Sequence, residues 1–118
     1  MAKGFSVLLG IVLFGVGLCG TFTGGHDHLL LMFGINATHN LVHLVSGALA
    51  LLAAVAGMRY AKLFCLAFGA VYATVAVAGF ANVTPLVQAL NLNQADNLLH
   101  LGIGVTCLWA GMASRWED

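Results

Sequence analysis

Charge is what this sequence has least of. Only 7% of its 118 residues are Asp, Glu, Lys or Arg, four of each sign, and the formal net charge is zero. A water-soluble domain carries about a quarter charged residues, so water is not the main solvent of this chain. Four basic residues build no patch for nucleic acid, which is excluded as a partner. Cysteine is scarce too. Cys19, Cys65 and Cys107 lie in separate apolar segments with no C-x-x-C pair, so the sequence holds no disulfide framework, and all three read as small buried hydrophobes. No serine or cysteine nucleophile stands with a base and no glycine-rich phosphate loop is present, so nothing points to an enzyme. The single proline, Pro85, falls in a connection rather than in an apolar run.

What is present is hydrophobic: 61% of residues, with a mean hydropathy of +0.99. Four apolar segments can be drawn, about 5–22, 35–56, 62–81 and 92–112. Each is close to the roughly 20 residues that a helix needs to cross a hydrocarbon core. Their length and lack of strand alternation argue for helix, and an open sheet would leave backbone groups unsatisfied in lipid. The expected fold is an all-α integral membrane four-helix bundle. The first segment has no small-x-small cleavage site after it, and Leu18 before Cys19 departs from a lipoprotein box, so it reads as a retained helix and not as a signal peptide.

Orientation follows from the few positive charges. Lys3, Arg59, Lys62 and Arg115 lie at the amino terminus, in the second connection and at the carboxyl terminus, while the first and third connections hold no Lys or Arg. The positive-inside rule then places both termini in the cytoplasm. Trp109 and Trp116 read as interfacial anchors at that end.

One block occurs twice. Asn36-Ala37-Thr38-His39-Asn40-Leu41-Val42-His43-Leu44-Val45-Ser46-Gly47 is followed 57 residues later by Asn93-Gln94-Ala95-Asp96-Asn97-Leu98-Leu99-His100-Leu101-Gly102-Ile103-Gly104. Asn36, Asn40, Leu41, His43, Leu44 and Gly47 recur as Asn93, Asn97, Leu98, His100, Leu101 and Gly104. His39 is exchanged for Asp96, another proton- or metal-binding side chain. Gly10 and Gly20 recur more faintly as Gly69 and Gly79, at an offset of 59. This pattern is an internal duplication. Residues 1–118 read as a single transmembrane domain of two tandem helical hairpins, about 5–57 and 61–113, related by a pseudo-two-fold axis along the membrane normal. Ala50 with Ala54, Ala53 with Gly57, and Gly69 with Ala73 have the spacing that lets helix backbones approach closely in lipid.

The first outer connection begins with Gly24-Gly25, which end the first helix. It continues through His26-Asp27-His28 into an apolar run, Leu29–Phe33, expected to lie in the outer interface or to re-enter the bundle because it would be an unfavourable patch in water. In the third connection, Asn82 and Thr84 are capping candidates beside Pro85.

Residues three and four apart share a helix face, so Asn36, His39, Asn40, His43 and Gly47 form one stripe, and Asn93, Asp96, Asn97, His100 and Gly104 another. Polar side chains at membrane depth face the bundle interior, and the axis brings the stripes together. The expected cluster is His39, His43, Asp96 and His100, reaching about 10 Å inward from the outer surface. Three imidazoles and a carboxylate suit zinc, copper or iron. Asn36, Asn40, Asn93 and Asn97 would then fix the imidazole tautomers by hydrogen bonds. Three alternatives stand beside this. His43 and His100 alone are candidate axial ligands of a haem or chlorin, with Gly47 and Gly104 leaving room for the macrocycle. The cluster is also readable as interhelical hydrogen-bonding glue, or as part of a proton or small-solute path. His26, Asp27 and His28 read as a solvated loop, or as an entrance to the cluster.

Phe33-Gly34-Ile35-Asn36 running into the His39–Leu44 block, Gly69-Ala70-Val71-Tyr72, and Asn93–Leu101 together resemble a family of small bacterial membrane proteins with four helices, catalogued as a domain of unknown function in actinobacteria, cyanobacteria and related groups. The resemblance covers nearly the whole chain. It implies a bacterial four-helix membrane protein whose marked residues match Asn40, His43, Asp96, Asn97 and His100, and it implies no activity. The His26-Asp27-His28 loop departs from the family pattern.

The functional expectation is a non-enzymatic protein of a bacterial inner or photosynthetic membrane that binds a metal or metallo-cofactor near its outer face. The competing expectation is an accessory subunit of a larger respiratory or photosynthetic complex. Under either, the partners are the lipid bilayer and, through its lipid-facing helices, a second copy or another subunit.

Overall fold

The computed structural model describes residues 1–116. They form α1 (Ala2–Thr23), strands β1 (His28–Leu30) and β2 (Phe33–Ile35), α2 (Ala37–Ala56), α3 (Met58–Phe80), the short α4 (Thr84–Leu90) and α5 (Gln94–Ala113). Three helices, α1, α2 and α3, are long and apolar enough to cross a membrane, which marks a membrane protein. The fourth expected span, α5, has the length, but Asp96, Asn97 and His100 in its first two turns keep it out of that set.

The pairs α1/α2 and α3/α5 pack most extensively, and α2 and α5 touch least among the long helices. Glycine makes the close pairs possible. Gly47 lies on the backbone of Gly10 and Phe14, and Gly104 on that of Ala73. Asn40 covers Gly20 and Asn97 covers Gly79, where any side chain would run into the amide. The helix ends follow local chemistry: Gly24 (φ 138°) and Gly57 (φ 128°) close α1 and α2 in a backbone region open mainly to glycine.

Three expectations are corrected here. The fold is not wholly α, because the apolar run after His28 forms an antiparallel hairpin with His28 opposite Ile35 and Leu30 opposite Phe33. Distant side chains hold it: Asn91 Nδ2 donates to the carbonyls of His28 and Ile35, and Asn93 Nδ2 to that of Met32. Its inner end is buried at Ile35 while Leu29, Leu31 and Met32 remain exposed at the tip. The third connection folds as α4, which has Val83 at its N-cap and no side-chain capping bond from Asn82 or Thr84. Cys65 and Cys107 are buried as expected, whereas Cys19 is exposed.

At the opposite end from the hairpin, Lys62 has a role that its charge alone did not suggest. It is buried, and its Nζ donates to the carbonyls of Gly111 and Ser114, each at 2.7 Å, beneath the Trp116 ring at 4.8 Å. A lysine thus satisfies the carbonyls left open at the end of α5. Ser114 joins the same knot, accepting from the Ala2 amide and donating to Ala110 O. Removing both charge-assisted bonds by Lys62→Met is expected to cost about 2 kcal/mol or more. Thermal unfolding in detergent should register this as a melting point lower by about 8 °C or more. The same change at exposed Arg59 should leave the melting point in place.

Candidate metal centre

The site is built from two helix starts. Asn36 caps α2, its Oδ1 accepting from His39 N at 2.9 Å, and Asn93 caps α5 by accepting from Asp96 N at 2.9 Å. These caps set the rotation at which each helix begins. One turn deeper, His43 and His100 project into the gap between α2 and α5. The rings of His39, His43 and His100 converge there, with centroids 4.4 Å apart for His39 and His43, 5.5 Å for His39 and His100, and 6.2 Å for His43 and His100. All three side chains are buried, and one ring nitrogen from each lies within 4.8 Å of the other two.

Their nitrogens are short of partners. Both nitrogens of His39 and the Nδ1 atoms of His43 and His100 are buried without a hydrogen bond. The backbone at Gly34 and Leu90 adjoins the His39 ring without closing a bond to either nitrogen. A buried polar atom left unpaired costs about 1–3 kcal/mol, so this group is expensive as it stands. A tetrahedral ion bound at 2.0–2.1 Å needs donor atoms about 3.3 Å apart. The widest separation of 4.8 Å therefore has to close by about 1.5 Å, within the reach of side-chain rotation. Three neutral imidazoles form a donor set suited to zinc, copper or iron.

Several expected members of the site lie elsewhere. Asp96 is buried but is not one of the converging donors. Its Oδ2 accepts from Gly34 N and from Asn93 N, both at 3.0 Å, completing a capping box and pinning the hairpin. Among the described residues no asparagine hydrogen-bonds an imidazole. Asn36 and Asn93 are caps, and Asn36 Nδ2 also donates to Asp27 Oδ1 and to Ala89 O. Asn97 donates to Gln94, and both amide atoms of Asn40 are unpaired. Gly47 and Gly104 leave no clearance for a macrocycle, because helix backbone already fills the space beside them. The rings of His26 and His28 lie 4.9 Å apart, tilted by 32°, and His28 pairs with Thr23 Oγ1 and His26 O. This loop is tied to the helix ends and adds nothing to the three-imidazole group.

Two residues beside the group were not singled out for it from the sequence. Tyr72 of α3 has its ring 5.5 Å from that of His100, and Ser46 of α2 lines the same space. A tyrosine in the middle of an apolar helix was the available signal.

Fold and site together define a small, mostly helical membrane protein with a buried group of three histidines that could hold a metal ion. The chain belongs to the family described as a domain of unknown function, DUF4383, which matches residues 3–113. No curated protein and no solved structure matches it.

Proposed function

We propose that this is a non-enzymatic bacterial integral membrane protein that binds one transition-metal ion through His39, His43 and His100. The observation that carries this reading is the set of four buried, unpaired imidazole nitrogens on three converging rings. Interhelical glue would join such groups by hydrogen bonds, and these rings make none with each other. A macrocycle between His43 and His100 is disfavoured by the His39 ring, 4.4 and 5.5 Å from theirs.

In this reading residues 1–118 are a single domain of two tandem hairpins, and α5 is the fourth span. Its outward residues Leu98, Leu101, Val105 and Met112 are apolar and exposed, while Asp96, Asn97 and His100 are buried. The contacts of Gly47 and Gly104, and those of Asn40 and Asn97, support the two-fold relation. The scarce positive charges put both termini in the cytoplasm and the ion near the outer face, in an inner or photosynthetic membrane.

Elemental analysis of protein purified from its native membrane without chelators is the test. About one zinc, copper or iron ion per chain is expected, and His43→Ala and His100→Ala should lose it while remaining folded. Folded wild-type protein with no metal above background would overturn the reading. It would leave the cluster as packing inside a subunit of a larger membrane complex.

A further inference from the structure

Three imidazoles leave at least one position of a bound metal open, and Asp96, held in its capping box, does not supply a fourth ligand. A cavity of about 110 Å³ opens onto the same three rings between α2 and α3. Apolar Val42 and Val71, both exposed toward lipid, stand at its mouth, and two buried hydroxyl residues, Ser46 and Tyr72, line its interior. Tyr72 is 4% exposed. The Ser46 side chain adjoins its hydroxyl, yet Tyr72 Oη makes no hydrogen bond. A hydroxyl placed without a partner in an apolar wall is costly.

The opposite flank lacks this chemistry. A cleft of about 200 Å³ between α1 and α5 reaches His43 alone among the three histidines, and Leu13 and Ile103 line it. Leu13 and Ile103 stand at the duplication's own offsets of 59 and 57 from Tyr72 and Ser46. Hydroxyls therefore occur on one flank of the cluster, and hydrocarbon at the matching positions of the other flank. At about 30 Å³ per water, the α2/α3 cavity of about 110 Å³ has room for about three or four waters and none for a macrocycle.

We propose that the α2/α3 cavity is the exogenous-ligand position of the metal. It takes a hydrogen-bond-accepting ligand of two or three non-hydrogen atoms (a diatomic gas or a small linear anion), or water in its place, with the Tyr72 hydroxyl donating to it. This rests on the metal reading, and the experiment separates the two. Cobalt(II), whose visible bands report coordination, is loaded into the chelator-stripped full-length protein in detergent, bound cobalt is counted, and azide is titrated.

The expected result is a saturable change in the cobalt bands. Tyr72→Phe, retaining its full complement of cobalt, should bind azide about five- to ten-fold more weakly, the value of one hydrogen bond. Ser46→Ala gives a second reading of the same flank, with a smaller weakening expected. Ile103→Phe, which fills the opposite cleft, should leave azide affinity unchanged. Absence of bound cobalt overturns the metal reading and this one with it. Stoichiometric cobalt that ignores azide overturns this one alone, as does azide affinity that falls with Ile103→Phe and is untouched by Tyr72→Phe and Ser46→Ala.

Discussion

Gly104→Ala is expected to lower the melting temperature of the detergent-solubilised protein by more than about 12 °C, while Gly102→Ala, two residues away on the same helix, raises it or leaves it in place. A methyl group built on Gly104 meets Ala73 N at 2.6 Å, Ala73 Cα at 2.9 Å and Ala73 Cβ at 3.0 Å. Two of these atoms are backbone, so no rotamer change relieves the collision and α3 must move away from α5. Overpacking costs about 1–3 kcal/mol even where side chains can yield, and the rigid case belongs at or above the top of that range. A domain of this size loses about 4–8 °C per kcal/mol. At Gly102 an added methyl meets nothing within 4 Å, and replacing a helical glycine by alanine gains about 0.5–1 kcal/mol. Gly47→Ala should repeat the Gly104 result, since its methyl meets Phe14 N at 2.6 Å and Gly10 O at 2.9 Å. Equal melting points for Gly104→Ala and Gly102→Ala would refute the close-packed geometry of α3 and α5, and an unchanged melting point for Gly47→Ala that of α1 and α2.

The features legible in the sequence were those with a period. Apolar length marked the long helices, and the three- and four-residue spacing of His39, His43 and His100 marked one face of two helices, which is why these rings were expected together. What was not legible depended on partners far along the chain. The hairpin has no alternating pattern of its own, and its hydrogen bonds come from Asn91 and Asn93 some sixty positions later. Lys62 counted as a positive charge for topology, yet the open carbonyls of a helix end 49 and 52 residues away bury it. Asp96 satisfied two patterns at once. With His100 four residues on it matched a chelating pair, and with Asn93 three residues before it matched a capping box. The cap prevails because two backbone N–H groups there need an acceptor, and a carboxylate at the positive end of a helix is favoured further by the helix dipole.

That choice explains how two similar sequence blocks bring together three imidazoles and no carboxylate. His39 and Asp96 occupy the same position, third from the cap, in α2 and α5. The carboxylate turns back on its own helix start. The imidazole at the equivalent place makes no such bond through its ring and joins His43 and His100 in the middle. Divergence at this one position thus separates a side chain that caps its own helix from one that joins the histidine cluster. The hydroxyl pair Tyr72 and Ser46, set against Leu13 and Ile103, extends the same asymmetry to the flanks.

Asp96→Ala is accordingly expected to destabilise the protein without emptying the proposed metal site. The change removes the acceptor of Gly34 N and Asn93 N. At about 1–3 kcal/mol for each orphaned donor, with a few tenths more from the lost charge at the helix start, the total is about 2–6 kcal/mol. The melting temperature should fall by about 8 °C or more. Asp96→Asn keeps one oxygen acceptor and should recover a large part of the loss. Metal content, measured well below the melting point, should remain at the wild-type value in both variants because His39, His43 and His100 are untouched. A ligand role for Asp96 predicts the reverse order: metal is lost from both variants alike, with a smaller change in melting temperature. Metal content and melting temperature measured on the same preparations separate the two roles, and Asp96→Asn gives the comparison even where Asp96→Ala is too unstable to purify.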